Sequence, residues 1–82
     1  MKMQVLMNLL EKKNDEVIYN FGNEPAVMDG IIYINIKDID KSRVEKMPSD
    51  DSVYMNYANK AMAKAMRLIL KGEIPEKIEY CS

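Results

Sequence analysis

The sequence predicts an α+β fold: a small antiparallel three-stranded β-meander followed by one long C-terminal helix, with a short C-terminal strand as a further candidate. Three observations carry this. Apolar residues alternate with polar ones near the N-terminus, the run Ile31-Ile-Tyr-Ile-Asn-Ile36 is dense in β-branched side chains, and residues 52–71 place their apolar side chains at helical spacing.

In the first ten residues, Met1, Met3, Val5, Met7 and Leu9 alternate with Lys2, Gln4 and Asn8, which is the pattern of a half-buried strand. The same stretch also offers Met3, Leu6, Met7 and Leu10 at helical spacing ahead of Glu11, Lys12 and Lys13, so a helix, and with it an αββα order, is the alternative. Lys12-Lys13-Asn14-Asp15 then forms a short polar break of hairpin length. Beyond it, Val17, Tyr19 and Phe21 share one face of a second strand. Asn23-Glu24-Pro25 predicts a turn, and Asp29-Gly30 a reversal in which glycine takes positive φ. In the third strand, Gly30 to Asp38, Ile32, Ile34 and Ile36 lie opposite Ile31, Tyr33, Asn35 and Lys37. Residues 38–49 read as a connection that packs lightly on the core through Val44 and Met47 and holds at most a short helical turn.

The helix is expected over Ser52–Lys71. Ser49, Asp50, Asp51 and Ser52 are its candidate N-caps, Gly72 its left-handed C′ residue, and Pro75 forbids continuation. Projected at about 100° per residue, Ala58, Met62, Ala65 and Ile69 centre the core face. Tyr54, Ala61 and Leu68 flank it on one side, and Met55, Met66 and Leu70 on the other. Ile78 and Tyr80 alternate in the tail and suit a short strand or an extended strap.

Composition narrows the function. Eighty-two residues leave room for one core and one domain, and 12 basic against 13 acidic side chains create no overall field for nucleic acid or an anionic membrane. A single cysteine, Cys81, excludes an internal disulfide, and no apolar run approaches the roughly 18 residues of a membrane span. A cytoplasmic protein with no membrane contact is the expectation.

No histidine is present, which removes the commonest general base and metal ligand. Gly22, Gly30 and Gly72 stand apart and form no phosphate loop. Asp38, Asp40 and Ser42 imitate the start of a calcium loop, but Arg43 stands where the turn glycine belongs and Ser49 where the bidentate glutamate belongs. Cys81 has no cationic neighbour in sequence to activate it. No catalytic residue, metal or cofactor is therefore expected. Of the five tyrosines, Tyr19, Tyr33, Tyr54 and Tyr80 fall on apolar faces, while Tyr57 lies beside a basic stripe.

Two surfaces remain as candidates. Lys60, Lys64, Arg67 and Lys71 align on the polar side of the helix, where cations can contact successive phosphates. The segment Asn59-Lys-Ala-Met-Ala-Lys-Ala65 resembles the last helix of double-stranded RNA-binding domains, which implies phosphate contact by that helix. The chain lacks that family's loop histidine, holds its cations in mid-helix, and matches only if the N-terminus is helical. The second surface comes from strand alternation: if one helix covers Val5, Met7, Val17, Tyr19 and Ile32, then Leu6, Leu10, Ile18, Ile31 and Tyr33 lie on the opposite face. The 38–47 connection or the C-terminal strap would have to cover that face, or it meets a partner. The expected function is a non-catalytic module that binds a protein partner or a second copy of itself, for which Leu6, Ile18, Ile31 and Tyr33 are the candidate surface. Weak RNA or DNA binding by the stripe is the alternative.

Overall fold

Alternation decides the N-terminal ambiguity in favour of a strand in the computed structural model, which describes residues 4–25, 27–49 and 53–81. The elements run β1 (Gln4–Lys12), β2 (Glu16–Gly22), β3 (Gly30–Asn35), β4 (Arg43–Lys46), α1 (Met55–Leu70) and β5 (Lys77–Cys81). All five strands form one antiparallel sheet in the order β4-β3-β2-β1-β5. The expected three-stranded meander is thus a four-stranded one, and β5 is added beside β1 at the opposite edge. Strand parity makes β4 and β5 run the same way, so α1 must return the chain across the sheet.

Both additional strands come from segments whose pairing the local pattern shows weakly. Residues 38–49 were expected as a connection, yet Val44 pairs with Ile32 and Arg43 with Tyr33, extending the sheet beyond β3. The connection does contain one 3₁₀ turn, Ile39–Lys41. The tail pairs Val5 with Tyr80 and Met7 with Ile78, so it is a strand and not a strap over the sheet.

Turn chemistry closes the meander. Lys13 N–H donates to the Glu16 carbonyl at 2.8 Å in the β1-β2 hairpin, and Val27 N–H donates to the Glu24 carbonyl at 3.0 Å around Pro25. In β1, Leu10 is an extra residue: Leu9 pairs with Tyr19 and Glu11 with Ile18. This bulge leaves Leu10 54% exposed and turns Glu11 toward the face that holds Ile18. Gly30 does not adopt positive φ; among the described residues only Gly72 does, at 88°. Gly30 is needed for space, because a Cβ there would stand 2.6 Å from Cε1 of Phe21, its cross-strand partner.

The core lies between α1 and one face of the sheet. Val5, Met7, Val17, Tyr19, Phe21, Ile32, Ile34 and Ile78 are buried from the sheet, and Ala58, Ala61, Ala65 and Ile69 from the helix. Small helical residues let the helix approach β-branched and aromatic side chains closely. The projected face is rotated slightly toward Tyr57, which packs against the core, while Met55 and Leu70 on the other flank are exposed; Tyr54 is exposed as the N-cap ahead of the helix.

The helix is shorter than expected, 16 residues, and starts at Met55 with Tyr54 as an N-cap that makes no side-chain bond. Asp50, Asp51 and Ser52 lie outside the described residues. Ser49 is not the cap, since Tyr54 holds that position; the Ser49 N–H donates to Asp29 Oδ1 at 3.1 Å instead. The C-terminus follows the sequence expectation: Gly72 N–H bonds the Ile69 carbonyl and Glu73 N–H the Leu68 carbonyl, the Schellman pair of bonds around a left-handed glycine.

Candidate functional site

The sheet face away from α1 is the first candidate, and the register places its residues in rows. Tyr33 lies between Ile18 and Arg43, and Ile31 follows along the same strand, so Ile18, Ile31 and Tyr33 form one apolar triangle. Ile18 is only 9% exposed, and its cross-strand partners on this face are Glu11 and Tyr33. Arg43 caps the triangle: its guanidinium stands 4.7 Å from the Tyr33 ring centroid and its Nε donates to Glu45 Oε2 at 2.8 Å. Stacking of this kind favours an exposed arginine over an aromatic face by about 0.5–1 kcal/mol. Lys46, opposite Ile31, leaves a second cation at the same border.

Leu6 does not join this triangle. Asn8 pairs with Asn20 in the row between them, and Asn20 Oδ1 also accepts the Asn8 N–H at 3.2 Å. Leu6 instead lines a groove of about 360 Å³ with Asn8, Pro25, Met28, Lys77 and Glu79. The β2-β3 loop folds over this end of the face, where a Cβ on Gly22 would stand 2.0 Å from the Val27 carbonyl oxygen. Glycine at position 22 therefore lets the loop approach. The four predicted surface residues divide into a group of three and one residue under the loop.

The basic stripe is the second candidate, and its members are differently engaged. Lys60 Nζ stands 5.6 Å from the Tyr57 ring centroid, and Lys64 Nζ donates to the Glu79 carbonyl on β5. Arg67 and Lys71 are exposed, and Lys71 serves as the helix C-cap. Lys64 also borders a groove of about 420 Å³ between α1 and β5 that is lined by Leu68, Ile74, Pro75 and Ile78. The array is therefore three exposed cations, of which Lys60 also stands near an aromatic ring, and the half-buried Lys64 held on a backbone carbonyl. The first element is β1 and not a helix, so the order of elements departs from that of double-stranded RNA-binding domains.

The calcium-like segment is built for another purpose. Ser42 Oγ accepts the Asn35 N–H at 3.0 Å, and Asn35 Oδ1 accepts the N–H groups of Lys37 and Asp38 at 3.0 and 2.8 Å. These bonds fold the β3-β4 connection, and among the described residues no group of three potential ligands converges. Cys81 is exposed, and its Sγ donates to Glu79 Oε1 at 3.2 Å.

Among the described residues, two titrating groups are shifted. Burial raises the Tyr19 phenol above its usual 10.0, and its hydroxyl donates to the Pro75 carbonyl at 2.6 Å, tying β2 to the segment that leads into β5. Hydrogen bonds from the Ser49 side chain and backbone lower the Asp29 carboxyl below 3.8. This pair, which joins the ends of the β3-β4 unit, has no signal in the sequence beyond two polar residues in separate loops.

No helix among the described residues is long and apolar enough to cross a membrane. Comparison of the chain with protein-family models, with curated proteins and with solved structures finds no match.

Proposed function

We propose that the protein is a non-catalytic interaction module that binds a protein partner through the Ile18, Ile31 and Tyr33 face of its sheet. One observation carries the reading. The two segments able to cover this face, residues 43–46 and 77–81, are strands within the sheet, so their backbones lie beside the face and not over it, with the Arg43 side chain reaching back onto Tyr33. A half-exposed isoleucine and tyrosine bordered by Arg43 and Lys46 suit a partner that presents an apolar side chain next to a carboxylate. Aromatic and arginine side chains together are the usual anchors of such contacts.

A photo-crosslinking side chain at position 33, with one at position 71 on the helix as control, tests the reading. Discrete adducts from position 33 that vanish on Ile31→Lys, with none from position 71, are expected. Equal labelling from both positions, or none from position 33, refutes it. Sedimentation of wild type beside Tyr33→Lys then tells whether the partner is a second copy.

A further inference from the structure

The outer edge of β5 has a charge pattern that complements itself. Leu9 N–H bonds the Glu76 carbonyl, and Met7 pairs with Ile78 and Val5 with Tyr80. In an antiparallel ladder, alternate residues turn their backbone groups to the neighbouring strand, so Glu76, Ile78 and Tyr80 face β1 and Lys77 and Glu79 face outward. The Lys64 bond to the Glu79 carbonyl agrees, because it reaches that oxygen from outside the sheet.

From this geometry we infer that the β5 edge pairs with β5 of a second copy, antiparallel, with Ile78 on the two-fold axis. That register sets Lys77 opposite Glu79 of the second copy, and the axis repeats the match. Each such pair exchanges both backbone hydrogen bonds and brings opposite charges side by side on one face of the sheet. The neighbouring symmetric registers are disfavoured by charge, since they set Lys77 against Lys77 or Glu79 against Glu79. Glu79 can receive the added lysine: among the described residues, Gln4 Nε2 and Cys81 Sγ both approach Oε1, and Oε2 is the oxygen that the lysine of the second copy would meet. The apolar groove of about 420 Å³ beside Leu68, Ile74 and Ile78 runs along the same edge and lies next to Ile78 of the second copy.

Lys64 regulates the contact. In the single chain its ammonium occupies the Glu79 carbonyl, the acceptor that the incoming Lys77 N–H needs, so association begins with its displacement. An added charged side chain at a sheet edge is a recognised means of limiting such pairing. The dimer is a continuous sheet through two β5 strands, and a perpendicular two-fold axis puts both open faces on the same side. The inference does not depend on the partner of that face.

Sedimentation equilibrium at low salt, with protein up to about 1 mM because small interfaces are weak, tests it with charge reversal. Wild type is expected to dimerise. Lys77→Glu alone and Glu79→Lys alone each replace two attractive pairs by two repulsive ones and weaken the dimer about tenfold or more. An equimolar mixture of the two variants associates, because each supplies the charge the other lacks, and the Lys77→Glu/Glu79→Lys double variant recovers. Circular dichroism confirms that each variant is folded. A wild type that stays monomeric, single variants that dimerise like wild type, or a mixture no better than its components overturns the inference. Tyr33→Lys leaves the edge intact, so its dimerisation is unchanged even where binding by the open face is lost.

Discussion

Removing one oxygen atom from the core tests how the sheet holds its last strand. Tyr19→Phe keeps the ring, which is fully buried, and deletes the hydroxyl that donates to the Pro75 carbonyl at 2.6 Å. A hydrogen bond of this kind contributes about 1 kcal/mol net, and an acceptor left without its donor adds to the loss in proportion to its burial. Pro75 is half-buried, so water replaces the phenol only in part, and the expected cost is about 1–2 kcal/mol. For a domain of this size that lowers Tm by roughly 5–15 °C. Urea unfolding measures the same loss as a lower midpoint at unchanged slope. Hydrogen exchange locates it: the Ile78 and Tyr80 amides, which face β1, exchange about tenfold faster if the connection to β5 loosens by about 1.4 kcal/mol.

The pH dependence adds a sign. The folded Tyr19 phenol titrates above 10.0, raised by burial, so its contribution is complete below about pH 10 and declines as pH climbs through the folded value. The stability difference between wild type and Tyr19→Phe is therefore constant from neutral pH to about 10 and shrinks beyond it. A variant within about 0.5 kcal/mol of wild type, or a difference that ignores pH across that boundary, refutes the reasoning.

Three further outcomes are expected. Gly30→Ala places a methyl 2.6 Å from the buried Phe21 ring and costs about 1–3 kcal/mol, and Phe21→Leu in the same chain recovers part of it; a double-mutant cycle with no coupling rejects the steric account. Asp29 titrates below 3.8, so the stability it supplies is present above that value and lost as pH falls through the folded value; a Ser49 amide resonance with its midpoint at or above 3.8 counts against the pairing. Lys64→Ala uncovers the Glu79 carbonyl and strengthens edge pairing several-fold in sedimentation, whereas weakened pairing shows that Lys64 does not compete for that oxygen.

Residues whose conformation follows from their immediate neighbours were readable in the sequence. Gly30–Asn35 forms β3 because its β-branched side chains favour the extended backbone, and Gly72 ends α1 because only glycine adopts φ of 88° at little cost. The edge strand β4 was not readable. It contains three charged residues around Val44, and it is a strand because β3 presents a free ladder to it. The start of α1 was misplaced for a related reason: Val53, buried at 4% exposure, seats the chain ahead of Met55, and packing sets the boundary where serine and aspartate suggest an earlier one.

The candidate face was half readable. Alternation separated Leu6, Ile18, Ile31 and Tyr33 from the core without knowledge of any pairing. Their division needed the register, which interposes Asn8 and Asn20 between Leu6 and Ile18. Lys64 shows the same limit on the helix. Its stripe position was evident, but its bond to β5 depends on where the last strand lies.

The order β4-β3-β2-β1-β5 also orders events on the ribosome. β1 meets β2 as soon as the first hairpin emerges, yet its other side, where Val5, Met7 and Leu9 turn their backbone groups, stays bare until Lys77–Cys81 is made. Throughout that interval the nascent sheet carries an unsatisfied edge beside core side chains, the arrangement most prone to recruit a foreign strand. Translation that stops between α1 and β5 leaves this edge permanently open. Such a fragment keeps most of the hydrophobic core residues while its open edge makes it prone to aggregation.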